Sequence, residues 1–105
     1  MLRALIPCIV LMKIVGIIWI EDIVNKINVK HGVSRREIVE VLYNKPYFLF
    51  VEKGFIREEN VYSALGRTYS GRYLIVFFVY KKNKNALIVS ARSMTPKERK
   101  RYEKK

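Results

Sequence analysis

Between Tyr47 and Met94 the chain reads almost without interruption as β-structure, and this stretch decides what the rest must do. Tyr47-Phe48-Leu49-Phe50-Val51, Val61 to Thr68, Tyr73 to Lys81 and Ala86 to Arg92 are rich in β-branched and aromatic residues, which suit a pleated, half-buried surface. The connectors Tyr69-Ser70-Gly71 and Asn83-Lys84-Asn85 have the length of antiparallel hairpin loops. Such a sheet needs helices to cover it, and the remaining sequence signals them. Asp22 is placed to cap a helix running to about His31, with Ile23, Val24 and Ile27 as its apolar stripe and Gly32 as a left-handed stop. Ser34 and Glu37 have capping-box spacing, Val33 and Ile38 the spacing of a hydrophobic staple, and the helix they begin ends before Asn44-Lys45-Pro46. Thr95-Pro96-Lys97-Glu98 starts a third helix. With Ile14 to Ile20 as a buried leading strand, the expected fold is α+β, in the order β-α-α-β-β-β-β-α, with the helices on one face of an antiparallel sheet.

A chain of 105 residues supplies one ordinary core, and a mean hydropathy of −0.01 argues against a mainly disordered polymer. Its single cysteine, Cys8, lies in an apolar run and reads as buried and inert; with one histidine, His31, it cannot build a metal cluster, so neither metal nor cofactor is expected. The cysteine usage fits a reducing cytoplasm. Arg3 and the apolar run Ala4 to Met12 resemble the start of a signal peptide, but no small-residue cleavage site follows. As a membrane span the segment would bury Lys13, so no membrane role is expected. Residues 1–11 read as an extension ahead of an alternative start at Met12, and residues 12–105 as a single domain.

Charge is the strongest functional signal. Twenty-one Lys and Arg against nine Asp and Glu give +12. No acid occurs between Glu59 and Glu98, an interval that holds Arg67, Arg72, Lys81, Lys82, Lys84, Arg92 and Lys97. Solubilising charge would intersperse the signs; one-signed charge points to a polyanion partner. A two- or four-residue loop after β-strand Val61 to Thr68 would set Arg67 opposite Arg72, a like-charge pair made useful by an anion bridging the two guanidiniums. Alternation along the last strand puts Leu87, Val89 and Ala91 toward the helices, and Ile88, Ser90 and Arg92 on the uncovered face. Tyr62, Tyr69, Tyr73, Phe77, Phe78, Tyr80 and Tyr102 interleave with these charges. Some of them must be core, while tyrosines near the basic rim can stack on unpaired bases.

His31-Gly32-Val33-Ser34 after a Trp-containing strand, Ala64-Leu65-Gly66-Arg67-Thr68 leading to Gly71-Arg72-Tyr73-Leu74, then Ser90-Ala91-Arg92 before Met94-Thr95, and finally Glu98-Arg99 before Tyr102 together resemble the BrnT family. That resemblance spans about residues 17–103. It implies a ribonuclease toxin of a type II toxin–antitoxin module, with a RelE-like fold, that blocks translation. It also implies a small antitoxin, usually of ribbon-helix-helix type, and promoter DNA bound only through the toxin–antitoxin complex. The chain departs from the family pattern at Ile20, where an aspartate is common, and at Asn60 and Lys81, where arginines are common. These changes bear on catalytic strength more than on fold.

Metal-free RNA cleavage needs a base for the 2′-hydroxyl, cations for the phosphorane, and an acid for the leaving 5′-oxygen. Arg67, Arg72 and Arg92 are the expected phosphate and transition-state groups, with Lys81 assisting. His31 is the first choice for base or acid, because imidazole changes charge near neutrality; as the last residue of its helix it would equally serve the dipole. Glu59 is a base if the sheet brings it beside the arginines, and Tyr102 a proton donor. Tyr69, Lys97, Arg99 and Tyr102 are further expected RNA contacts. The rival class is a basic RNA- or ribosome-binding module without catalysis, which would use the same face.

Overall fold

The structure, a computed structural model, describes residues 12–54, 57 and 59–104. The elements follow the expected order: β1 (Gly16–Ile18), α1 (Glu21–His31), α2 (Arg35–Tyr43), β2 (Tyr47–Glu52), β3 (Val61–Arg67), β4 (Tyr73–Tyr80), β5 (Asn85–Ser93) and α3 (Pro96–Glu103). The strands form one sheet in the order β1-β5-β4-β3-β2, antiparallel from β2 to β5. β1 departs from the expectation: it is a short edge strand that runs parallel to β5, with Ile17 beside Ala86. No hairpin joins these two strands, so nothing in the connection imposes the antiparallel sense. Cys8, the run from Ala4 to Leu11 and the extension ahead of Met12 lie outside the described residues. Among the described residues, no helix is long and apolar enough to cross a membrane.

The helix ends follow local chemistry. Ser34 Oγ accepts the Glu37 N–H at 3.2 Å while the Glu37 carboxylate accepts the Ser34 N–H at 3.0 Å. Thr95 and Glu98 repeat the exchange at 3.1 and 2.9 Å, with Pro96 in the first turn. Gly32, at φ 62°, closes α1 and donates its N–H to the Asn28 carbonyl. Asp22 is not the cap of α1. Ile20 holds that position without a side-chain bond, and Asp22 joins Glu21 inside the first turn, where carboxylates still complement the helix dipole.

Helix α1 lies over β5, and α2 lies over β3 and β4. Ile27, Val33, Ile38, Val41, Leu74, Val76, Phe78 and Ile88 fill the space between helices and sheet. Phe48, Tyr62, Phe78 and Tyr80 meet edge to face or stacked on this side, so these aromatics are packing rather than surface for a ligand.

Two expectations about the faces fail, each for an identifiable reason. In β5, Phe77 opposes Ser90 but Phe78 opposes Ile88, leaving Val89 as the extra residue of a bulge. One extra residue reverses the alternation. Ala86 and Ile88 therefore join Ala91 on the helix side, all at 0% exposure, while Leu87 turns to the other. Arg92 lies beyond the bulge and keeps its expected side. The second failure concerns α3, which does not join α1 and α2. Its Glu98, Arg99 and Tyr102 touch Arg92 and Tyr73, whose side chains leave the sheet opposite the core residues Ala91 and Leu74. The sheet thus carries helices on both faces, and α3 sits on the second face at the β3–β4 hairpin end. Nothing in α3 is buried, so polar and aromatic contacts hold it there.

Candidate nucleic-acid interface

The β3–β4 loop sets the site. Thr68 pairs with Arg72 across the turn, its N–H donating to the Arg72 carbonyl at 2.9 Å, which leaves a three-residue loop. Gly71 within it adopts φ 97°, a backbone region that favours glycine. Arg67 consequently opposes Tyr73 rather than Arg72, and the expected like-charge pair does not form. The two guanidiniums leave the strand ends by different routes. Arg67 lies over the Tyr73 ring, 4.7 Å from its centroid. Arg72 reaches back to the junction of α1 and α2, where Nη1 donates to the Gly32 carbonyl at 2.9 Å and to the Glu37 carboxylate at 2.9 and 3.0 Å.

Helix α3 adds a third cation. Arg99 packs on Tyr73 with its guanidinium carbon 3.9 Å from the ring centroid, and Glu103 lies 3.4 Å from its Nε. Arg67, Arg72, Tyr73, Ser93 and Arg99 line one open cleft of about 520 Å³, with Glu37 and Glu103 paired to two of its arginines from the side. Arg92 is beside this cleft rather than in it. Its guanidinium grips Glu98 through two bonds of 2.8 and 2.9 Å, donates to the Ser93 carbonyl and lies over Phe77.

The electrostatics follow from these pairs. Burial alone would raise the Glu37 carboxyl, but the Ser34 N–H and the Arg72 guanidinium outweigh it and hold the group below the usual carboxylate range. The Arg92 hydrogen bonds lower Glu98 in the same sense, and Glu98 in turn raises Arg92. Each of the two arginines is held by the acid of a helix capping box.

The other expected residues divide by position. His31 is exposed at the end of α1, one residue before the carbonyl that Arg72 holds. Tyr69 stands at the loop tip, and the Tyr102 ring meets Tyr73 edge to face at 6.0 Å. Lys97 is exposed in the first turn of α3. Glu59 and Lys81 are not brought to the arginines. They pair with each other at 2.8 Å beyond the Val61–Val79 end of the β3–β4 ladder, while Arg67 and Tyr73 close the other end, about 20 Å away at the usual rise per residue. Glu59 accepts also from the Lys82 N–H, and the Lys81 bond leads in keeping its carboxyl below the usual range. Its role as a base beside the arginines therefore has no geometric basis, and Lys81 stands too far off to assist them.

Sequence reasoning missed the second task of Glu37 and Glu98. The box spacing located both, but a box explains a helix end and does not announce an arginine arriving from another element. Tyr73, the ring on which Arg67 and Arg99 both rest, carries no signal in the sequence that sets it apart from the other aromatics.

A cleft lined by arginines from a strand end, a loop and a helix can hold a phosphodiester and take up charge developing on it. Among the described residues, no group of three or more His, Cys, Asp or Glu is placed to hold a metal ion. In comparisons with known proteins, the family described as ribonuclease toxin, BrnT, of type II toxin–antitoxin system matches residues 20–98, from the start of α1 to the capping glutamate of α3. No curated protein matches the chain.

Proposed function

The chain belongs to the BrnT family of ribonuclease toxins of type II toxin–antitoxin systems, and from that premise we propose that it cuts RNA endonucleolytically, without a metal ion, in the cleft between Arg67, Arg72 and Arg99, and thereby inhibits translation. In this reading the 2′-oxygen attacks the adjacent phosphorus as its proton passes to a base. The bond from phosphorus to the 5′-oxygen breaks, and that oxygen takes a proton from an acid. Arg67 and Arg72 contact the non-bridging oxygens and carry the charge of the phosphorane. Arg92 acts at one remove, holding α3 and with it Arg99 through Glu98. His31, beside the Arg72 anchor, exchanges the proton, and Tyr102, whose ring meets Tyr73, is the leaving-group donor. The observation that carries the proposal is a single cleft lined by Arg67, Arg72 and Arg99.

The test is purified protein on labelled single-stranded RNA in excess EDTA. Wild type is expected to cut, and Arg67→Ala to cut about 10²–10³-fold more slowly, the usual cost of removing one donor to a transition-state oxyanion. Arg67 is exposed, so the thermal transition of that variant stays where it was. Loss of cutting in EDTA would end the metal-free reading. Growth arrest on induction with cellular RNA intact would favour the non-catalytic binder instead.

The partner follows from the same field. A +12 surface suits an acidic antitoxin segment that covers the cleft. By the family resemblance that antitoxin is of ribbon-helix-helix type, brings the complex to promoter DNA, and meets a RelE-like toxin in the cytoplasm. Mixing the pair should abolish cleavage, and unchanged cleavage would count against a covering partner.

A further inference from the structure

Next to the arginine cleft, and sharing Arg67 and Gly71 with it, a second open cleft runs between the end of α2, the β3–β4 loop and α3, with Asn44, Lys45, Tyr69 and Tyr102 in its walls. Tyr69 is 74% exposed there, in a loop held by several hydrogen bonds. The Gly71 N–H donates to the Thr68 carbonyl, the Arg72 N–H to Thr68 Oγ1, and the Thr68 and Ser70 hydroxyls bond each other at 3.0 Å. Helix α2 ties the loop from outside: the Glu40 carboxylate accepts the Tyr69 N–H at 2.9 Å, and the Asn44 amide donates to the Arg67 carbonyl at 3.2 Å. An aromatic ring held in water by a hydrogen-bonded loop has lost much of its backbone freedom before any ligand arrives, and this is what makes a stacking platform efficient.

The opposite wall is polar and strained. Asn44 uses its amide N–H toward Arg67, while its Oδ1 accepts no bond among the described residues. Lys45, directly before Pro46, is held at φ 49°, a left-handed conformation that non-glycine residues adopt rarely and that collects at functional sites. It places an ammonium-bearing residue on the wall of a cleft whose other cation is Arg67.

We infer that this second cleft receives the unpaired nucleobase next to the phosphate held at Arg67. Tyr69 stacks on the base, Asn44 Oδ1 accepts an N–H from its Watson–Crick edge, and Lys45 takes the neighbouring phosphate. The inference rests on the RNA-cutting reading and narrows its substrate to single-stranded RNA, because a duplex hides base faces and pairing edges.

The experiment compares wild type, Tyr69→Ala and Tyr69→Phe on a labelled single-stranded oligoribonucleotide, on the same oligonucleotide with an abasic residue flanking the cut, and on its duplex. Tyr69→Ala is expected to lose about tenfold in kcat/KM, mostly through KM, as for loss of one stacked base. Tyr69→Phe keeps the ring and keeps the activity. The abasic substrate costs wild type a similar factor and costs Tyr69→Ala nothing further. The duplex is cut poorly by all. Wild-type kinetics for Tyr69→Ala, equal losses for the Phe and Ala variants, or losses that multiply between variant and abasic substrate would each overturn the base site. Fluorescence anisotropy of the same oligonucleotides separates the two readings. RNA bound through Tyr69 but never cut sinks the nuclease and leaves the base site, whereas RNA cut normally by Tyr69→Ala does the reverse.

Discussion

Helices α2 and α3 begin with the same device, a hydroxyl cap answered by a glutamate three residues on, and in each that glutamate also holds an arginine from another element, Arg72 of the β3–β4 loop or Arg92 of β5. Beyond this shared start they differ. Helix α2 buries Ile38, Val41 and Leu42 against the sheet, while α3 buries nothing. At α2 the apolar core fixes the helix, and the helix then steadies Arg72. At α3 the order of cause is reversed: Arg92, with the aromatic contact between Tyr73 and Tyr102, fixes the helix, and the helix then delivers Arg99. One local motif thus serves as an anchor point in one place and as the anchor itself in the other.

The widest separation between the two should come from the core. Ile38→Ala, at a site 1% exposed, is expected to cost about 2–5 kcal/mol, read as a large fall in the urea midpoint. Helix α3 has no apolar residue whose truncation could match it. The corresponding lesion there is Glu98→Ala, which removes the reciprocal cap bond and both Arg92 bonds together. A loss of about 1.5–3 kcal/mol is expected, the range for hydrogen bonds to charged groups, with faster amide exchange confined to residues 96–103. Uniform exchange across the chain would show that α3 is held by something other than this pair.

The contrast also explains what could be read in advance. Both boxes, the Gly32 stop, the stripe of Ile38, Val41 and Leu42 and the four long strands were legible because each is written within a few adjacent residues. Apart from the Asp22 cap and the position of Glu59, the failures needed a partner from elsewhere. Val89 is an ordinary strand residue, and only the pairing of Phe77 and Phe78 makes it a bulge. The Tyr69-Ser70-Gly71 loop can close in more than one register, and the choice sends Arg67 and Arg72 to different neighbours. Glu59 lies one strand-length from Arg67 along β3 itself, a separation that the Val61 to Thr68 strand already implies. The basic character of the site was therefore plain, while its geometry depended on loop closure.

Acid should weaken both helix anchors, by less than the substitutions do. The Glu37 and Glu98 carboxyls are lowered in the folded chain. Their contribution is complete above the ordinary carboxylate range of the unfolded state and is lost as pH falls through the lower folded values. The thermal midpoint should hold from pH 7 to about 5, then drop below about pH 4. Glu98→Gln should flatten that acid limb. A limb of unchanged steepness in both Glu98→Gln and Glu37→Gln would mean that other carboxylates, such as Glu59 against Lys81, carry it.

The smallest change in stability, and the sharpest test of the asymmetry, is Glu37→Gln. Glutamine still completes a capping box, and the buried face of α2 is untouched, so the helix stays and the urea midpoint should move by no more than about 0.5 kcal/mol equivalent. Only the grip on Arg72 changes, because one carboxylate oxygen becomes an amide donor facing the donor Nη1. Arg72 keeps the Gly32 carbonyl and loses its charged partner. Removing a negative charge from behind the cleft should leave RNA binding as tight or tighter at low salt, since fewer phosphate contacts are opposed. The turnover number should fall, because a guanidinium free to swing no longer waits where the phosphorane charge develops. A rise in KM with turnover unchanged would show that Arg72 only binds RNA. No kinetic change at all would show that Glu37 serves the end of its helix and nothing beyond it, leaving α3 as the one place where cap and arginine act together.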